Sequence, residues 1–178
     1  MKSHVLARLA AVGATALSLA VPAVASASIG VNNAASFTSN GTLKDGWYWV
    51  HQDSESASWT FNIGSLASAK KGTVHLNVQA LVANKVDGGS GYSARGVKFT
   101  VSCGNATQVL NVNLVNHFRP IYSGDSLGLG QTASGHSTTA LKMKRFEGCS
   151  QVTVQTKGAF PGQRAIGFQQ ESASFGYS

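Results

Sequence analysis

Acidic side chains are scarce in this 178-residue sequence, which has seven Asp and Glu residues against fourteen Lys and Arg residues. No two of these carboxyl groups are placed so as to force their pKa values apart, and paired acid and base catalysis needs such a split. The composition therefore favours a binding or structural role over acid–base catalysis.

A long hydrophobic run is also missing. The apolar, uncharged stretch over residues 9–21 is shorter than the roughly 20 residues that a membrane-spanning helix needs. Basic residues precede it, and Ala25 and Ala27 place small side chains at the two positions that a signal peptidase reads. The sequence predicts a cleavable signal peptide over residues 1–27. A single extracellular domain over residues 28–178 follows, with no membrane partner expected.

Cysteine is limited to Cys103 and Cys149. Neither belongs to a C-x-x-C motif, and two isolated sulfurs make a poor zinc site. An even number of cysteines in an exported chain instead predicts one disulfide between them, with Cα atoms within about 7 Å.

Helical spacing is absent from the hydrophobic pattern, and apolar residues alternate with polar ones at a period of two. This alternation is typical of antiparallel sheet with one buried and one solvated face. It covers residues 57–63, 74–82, 97–103, 110–114, 141–143, 152–154 and 166–168. Glycine-rich turns separate these segments, so the sequence predicts an all-β fold, a single antiparallel β-sandwich of jelly-roll type.

The same alternation predicts the core. The residues expected to be almost fully buried are Trp59, Phe61, Leu76, Val78, Phe99, Val101, Val112, Val154 and Phe168. The alternation changes phase after Phe168, and a one-residue bulge within residues 169–171 would bring Phe175 back to the inner face.

Basic residues are in modest excess. Removing Lys2 and Arg8 with the signal peptide leaves twelve basic minus seven acidic residues, a formal charge of +5. A basic cluster spans residues 142–145, but aromatic residues do not interleave with it as a nucleic-acid surface would favour. A solvated strand edge explains the cluster. No nucleic-acid partner is expected, whereas acidic polysaccharides stay open as partners.

Three consecutive aromatic residues, Trp47, Tyr48 and Trp49, form the most informative motif. On a strand they point alternately to opposite faces. If Tyr48 and Val50 face the core, both tryptophans share the solvent face, where an aromatic pair suits a sugar ring or a partner surface. In the alternative, the tryptophans belong to the core and Tyr48 is exposed.

The exposed arrangement predicts a ligand-binding site. Trp47 and Trp49 would present their ring faces near Tyr92 or Tyr122, which lie in two Gly- and Ser-rich loops predicted over residues 83–94 and 116–139. Stacking on the indoles would hold a sugar ring while Asn and Gln side chains bind its hydroxyls.

Two motifs resemble catalytic ones. Residues 124–128 fit the G-x-S-x-G pattern around Ser126, but a nucleophile elbow needs a helix after the serine, and none is indicated. His51, Asp87 and Ser126 follow the order of a chymotrypsin-like triad, but the residues after the serine differ from that motif. No catalytic residue is predicted, and a secreted hydrolase is the third alternative.

His51, Asp53 and Glu55 would share one side of an extended strand, where they could together hold a cation. Residues 52–56 instead have the composition of a solvated acidic turn between two strands. No metal site is therefore predicted, and His75, His117 and His136 stand alone without ligand spacing.

Over residues 57–178 the strand pattern resembles the galactose-binding-domain-like jelly rolls, which include many carbohydrate-binding modules. The likeness lies in residues 59–63, 74–82, 96–101, 108–114, 149–154 and 165–175. The resemblance implies sugar binding by aromatic side chains, here Trp47, Trp49, Tyr92 and Tyr122. It also implies a structural calcium ion, for which Glu171 would replace the family's aspartate; no other cofactor is expected.

The sequence thus favours a secreted, non-catalytic binding module whose ligand is a polysaccharide or a cell-surface glycan. The alternative from another class is a structural component of the extracellular surface, with a sheet face or edge that meets a protein partner.

Overall fold

The computed structural model describes residues 30–64, 73–84, 93–116, 131–161 and 164–177. These residues contain twelve strands and two short 3₁₀ helices. The strands are β1 (Gly30–Asn33), β2 (Ser36–Ser39), β3 (Thr42–Lys44), β4 (Trp47–Val50), β5 (Ser56–Asn62), β6 (Val74–Asn84), β7 (Ala94–Cys103), β8 (Ala106–Asn116), β9 (Gln131–His136), β10 (Gln151–Lys157), β11 (Arg164–Phe168) and β12 (Ala173–Tyr177). The 3₁₀ helices are Met143–Phe146 and Gln170–Ser172.

All strand pairs are antiparallel, and they form two sheets. The first sheet runs β2-β5-β10-β7-β8. In the second sheet β6 is central: β9 pairs along one side, and β12 and then β11 pair along the other. Strand β1 extends the sheet from β12, while β4 and β3 extend it from β11. The two sheets join at a corner, where Val115 and Asn116 of β8 pair with β9.

The core lies between the inner faces of the two sheets, as the alternation predicts. All nine residues expected to be buried have at most 2% of their surface exposed. Rings from opposite sheets meet in the middle: the Trp59 and Phe168 centroids are 5.2 Å apart, and those of Phe61 and Phe175 are 4.6 Å apart. The predicted all-β sandwich is confirmed.

The predicted disulfide is also confirmed. Cys103 and Cys149 are bonded, with Cα atoms 6.5 Å apart. The bond ties the end of β7 to the segment that follows the first 3₁₀ helix. Within the described ranges, no helix is long and apolar enough to cross a membrane.

Three local predictions differ from the structure. The phase change after Phe168 is made by the 3₁₀ helix Gln170–Ser172 instead of a single-residue bulge. Strand β9 occupies part of the segment 116–139 that was expected to be loop. The strand expected at residues 141–143 is reduced to one bridge, between Leu141 and Val74, before the 3₁₀ helix Met143–Phe146.

Candidate functional site

The aromatic triplet lies on β4, and its face alternation is as the exposed arrangement predicts. Val50 packs in the core between the sheets. The ring of Tyr48 is half-buried and makes an edge contact with Phe37, with centroids 5.7 Å apart. Trp47 and Trp49 lie on the opposite face, in a separate small apolar cluster.

The expected exposure of Trp49 is nevertheless wrong, because its side chain is fully buried. The indole packs with Ala83 and Ala165, which are small outward-facing residues of β6 and β11. It also lies over Gly167, where an added Cβ would be 3.2–3.3 Å from three ring carbons. Small neighbours leave a slot that the indole fills, so Trp49 has no free ring face. Trp47 is half-buried.

The other predicted residues lie outside the described ranges. These are the tyrosines Tyr92 and Tyr122, the triad positions Asp87 and Ser126, and the signal-peptide segment 1–27. Whether either tyrosine lies near Trp47 therefore stays a prediction.

A different part of the same sheet face forms a depression of about 650 Å³, hereafter the groove. It extends across β9, the first half of β6, and β12. It ends at the corner where β8 pairs with β9. The side chains that line it are mostly polar: Asn77, Gln79, Asn113, Ser134, His136, Thr138, Glu171, Ser172 and Ser174, with Val78, Val115 and Gly135.

Strand register explains how these polar groups come together. Asn77 pairs with His136 on one side and with Ser174 on the other, and Gln79 pairs with Ser134. Directly paired residues point to the same face. The inward alternates are buried, so the outward row presents amide, hydroxyl and imidazole groups together.

The end of β9 is fixed by Ser137, which is 3% exposed. Its backbone N–H donates to the Leu76 carbonyl at 2.8 Å, and its hydroxyl accepts from the Leu76 N–H at 3.1 Å. Gly135 lets β8 approach, because a Cβ at this position would collide with the Asn113 carbonyl. The floor of the groove is therefore formed where β6, β9 and β8 pack closely together.

Glu171 reaches the groove from the 3₁₀ helix Gln170–Ser172. The core residue Trp59 donates its indole N–H to the Gln169 carbonyl at 3.0 Å, just before this helix. The Ser172 hydroxyl accepts from the Gln169 N–H at 2.9 Å, and the Gln170 amide donates to the Ala34 carbonyl at 3.0 Å. These bonds fix the backbone on which Glu171 stands.

The charge of the groove is low. Among the described residues that line it there is one carboxylate, Glu171, and no Lys or Arg. One imidazole, that of His136, lines the groove, and its ring centroid is 6.5 Å from that of His75, which is outside the described lining. Such a surface offers many donors and acceptors to an uncharged polar ligand and little to an anion.

No metal site is found in the part of the chain that the structure describes, where no three His, Cys, Asp or Glu residues are grouped. The His51, Asp53 and Glu55 segment forms a turn. One oxygen of Glu55 accepts from the backbone N–H groups of His51 and Gln52 at 2.6 and 2.9 Å, and lies 2.9 Å from Nδ1 of His51. The carboxylate of Glu55 is therefore used in closing the turn.

Sequence reasoning missed the groove. The alternation assigns His75, Asn77 and Gln79 only to the solvated face of a strand, and His136 has no ligand spacing around it. The available signal was the concentration of amide and imidazole groups on the polar face of one strand, with no charged side chain among them. Pairing with β9 could not be inferred, because that strand was expected to be loop.

The chain matches no protein-family model, no curated protein sequence and no solved structure. The geometry of the groove therefore supplies the argument for function.

Proposed function

We propose that the protein is a secreted, non-catalytic binding module that holds a neutral stretch of polysaccharide in the groove. The observation that carries the proposal is a depression of about 650 Å³ lined by amide, hydroxyl and imidazole side chains, with one carboxylate and no cation among its described residues. Its volume is in the range of ligand pockets, about 300–1,000 Å³.

Sugar hydroxyls both donate and accept hydrogen bonds, so they are best matched by groups that do both. Asn77 and Gln79 each offer an amide oxygen and an NH₂ group, and Ser134 and Ser174 offer hydroxyls. Glu171 is an acceptor for a pair of neighbouring hydroxyls. Half-exposed Val115 supplies an apolar contact for a ring face.

Trp47 is outside the described lining of the groove, and its side chain packs against the small apolar cluster around Trp49. Leu81 packs with the tryptophan cluster, and Gln79, the next outward residue on β6, lines the groove. Trp47 is thus the aromatic contact for a longer glycan, and buried Trp49 supports it.

Binding is favoured over hydrolysis at this site. Glycoside hydrolysis ordinarily uses two carboxyl groups on either side of the scissile bond. The described lining has Glu171 alone. A hydrolase would therefore need a group that this lining does not supply.

The alternative of a structural or protein-interaction component has weaker support. Exposed large apolar residues in the described ranges are Val31, Leu43, Val109 and Val115. They lie on three strands, with Val109 and Val115 six positions apart on β8, and do not form the contiguous patch that marks a protein interface. The short edge strands β1, β2 and β3 have four, four and three residues, which offers little edge for another chain to pair with.

We place the protein outside the cell, in keeping with the signal-peptide pattern. The Cys103–Cys149 disulfide supports this placement, because such bonds persist mainly in oxidising compartments.

A pull-down on a panel of insoluble polysaccharides, with a glycan array beside it, tests the proposal. The wild-type protein should be retained by at least one neutral polysaccharide. The variant Asn77→Ala/Gln79→Ala should lose retention. The matched control Asn62→Ala/Gln151→Ala changes one Asn and one Gln on the outer face of the other sheet and should bind as the wild type does. Retention by no glycan would refute the proposal.

A further inference from the structure

Two lysines face each other on the outer surface of the first sheet, away from the groove. Strands β10 and β7 pair with Thr156 opposite Phe99, and both of these residues are buried. The next positions in this register are Lys157 and Lys98, both exposed. The Thr156 hydroxyl donates to the Lys98 carbonyl at 3.0 Å, so the strands are still adjacent at this point.

Like charges directly opposite each other destabilise a sheet. None of the described carboxylates forms an ion pair with Lys98 or Lys157, since the ion pair found in these residues joins His51 to Glu55. The pair is therefore unfavourable in the free protein and becomes favourable when an anion lies between the two ammonium groups.

Both lysines line a depression of about 360 Å³. Its described lining is Gly96, Lys98, Thr100, Gln155, Lys157, Gly158, Ala159, Phe160 and Pro161. No carboxylate belongs to it. The Thr100 hydroxyl and the Gln155 amide add hydrogen-bond donors beside the lysines, and Phe160, at 5% exposure, forms an apolar base.

The backbone around the depression is held in an unusual conformation. Ala159 has φ of 58°, in the left-handed region that a residue with a Cβ rarely adopts. Gly158 beside it passes so close to Gln52 that a Cβ would collide with the Gln52 carbonyl. Strained backbone of this kind concentrates at ligand sites.

The surroundings indicate the class of ligand. Beyond the lysines, the outward positions of the first sheet carry mainly hydroxyl and amide side chains: Ser58, Thr60, Thr100, Ser102, Thr107, Thr153 and Gln155. Exposed aromatic rings, on which nucleic-acid bases stack, are absent from these described positions. A polyhydroxylated ligand with an anionic group fits both parts of this face.

We propose that Lys98 and Lys157 form a second binding site, which takes the anionic group of an acidic saccharide. A carboxylate and a sulfate ester offer the same oxyanion chemistry to the two ammonium groups. The site is on the opposite outer face of the sandwich from the groove and does not depend on it. One molecule would then hold a neutral glycan and an acidic one on its two faces.

The test compares two double variants with equal loss of charge. Lys98→Gln/Lys157→Gln removes the site, and Lys142→Gln/Lys144→Gln removes two exposed lysines elsewhere. Titration calorimetry with a polyuronate and with a sulfated glycan, at low and physiological salt, gives the dissociation constants. We expect the site variant to bind at least one of the two about tenfold more weakly, and the control to stay within about threefold of the wild type. Retention on neutral polysaccharide should be unchanged in both, which separates this site from the groove.

Binding of either acidic glycan supports the site and identifies its anionic group. The melting temperature of the ligand-free site variant should equal or exceed that of the wild type, because a like-charge pair is removed. Three results overturn the proposal: binding of neither glycan, equal weakening in both variants, or duplex DNA bound as tightly as the acidic glycans.

Discussion

The indole ring of Trp49 on β4 occupies the space above Gly167 on β11. The two residues are directly paired, and a Cβ at Gly167 would stand 3.2 Å from the nearest ring carbon. The glycine thus makes room for the indole of Trp49 on the outer face of the second sheet. This pairing makes Trp49 a structural residue, while its neighbour Trp47 keeps part of its surface exposed.

Replacing Trp49 with alanine should destabilise the fold by about 3–5 kcal/mol, because it empties a fully buried slot. Trp47→Ala should cost less than half as much, since its side chain is half-buried. Urea unfolding followed by circular dichroism measures both. Equal, small losses in the two variants would show that Trp49 is not packed as described.

Gly135→Ala should destabilise the fold by about 1–3 kcal/mol, because the new methyl group meets the backbone of Asn113 and the strand crossing must open. Gly64→Ala is the matched control, since a Cβ at Gly64 meets nothing within 4 Å. Its unfolding free energy should stay within about 1 kcal/mol of the wild-type value. The prediction fails if both variants unfold at the same urea concentration.

Removing the disulfide should lower the free energy of unfolding by about 4 kcal/mol, the loop entropy expected for residues 46 positions apart. The variant is Cys103→Ser/Cys149→Ser, purified beside the oxidised wild type and compared by urea unfolding. Reduced wild-type protein serves as the control and should match the variant. An oxidised protein no more stable than its reduced form would contradict the assignment.

Much of the fold follows from the sequence, because alternation with a period of two fixes which residues are buried. Trp59 and Phe99, for example, are placed inside by their polar neighbours alone. The hydrophobic alternation does not predict strand β9, because its inward residues are Ala133 and Gly135, which carry almost no apolar surface. Their small size matters because β8 packs closely against β9 at Gly135, and that is a tertiary contact.

The candidate site was harder to predict for the same reason. The polar positions of β6 were visible, but the residues that complete the groove come from strands remote in sequence. Glu171 and Ser174 are roughly a hundred residues from Asn77, and only the register of β12 against β6 brings them together. Alternation also placed Trp49 on the correct face, but it could not reveal that small residues on β6 and β11 leave a slot there.

Chemical-shift mapping with an oligosaccharide of the retained polysaccharide shows directly whether the glycan binds in the groove. Backbone amide signals of ¹⁵N-labelled protein are followed as the ligand is added. We predict that the largest shifts fall on residues 77–79, residues 134–138 and Glu171, with Trp47 affected by longer chains. Residues 58–60 and 151–155 on the opposite face should not move. Shifts confined to that opposite face, or no shifts at saturating ligand, would contradict binding of the glycan in the groove.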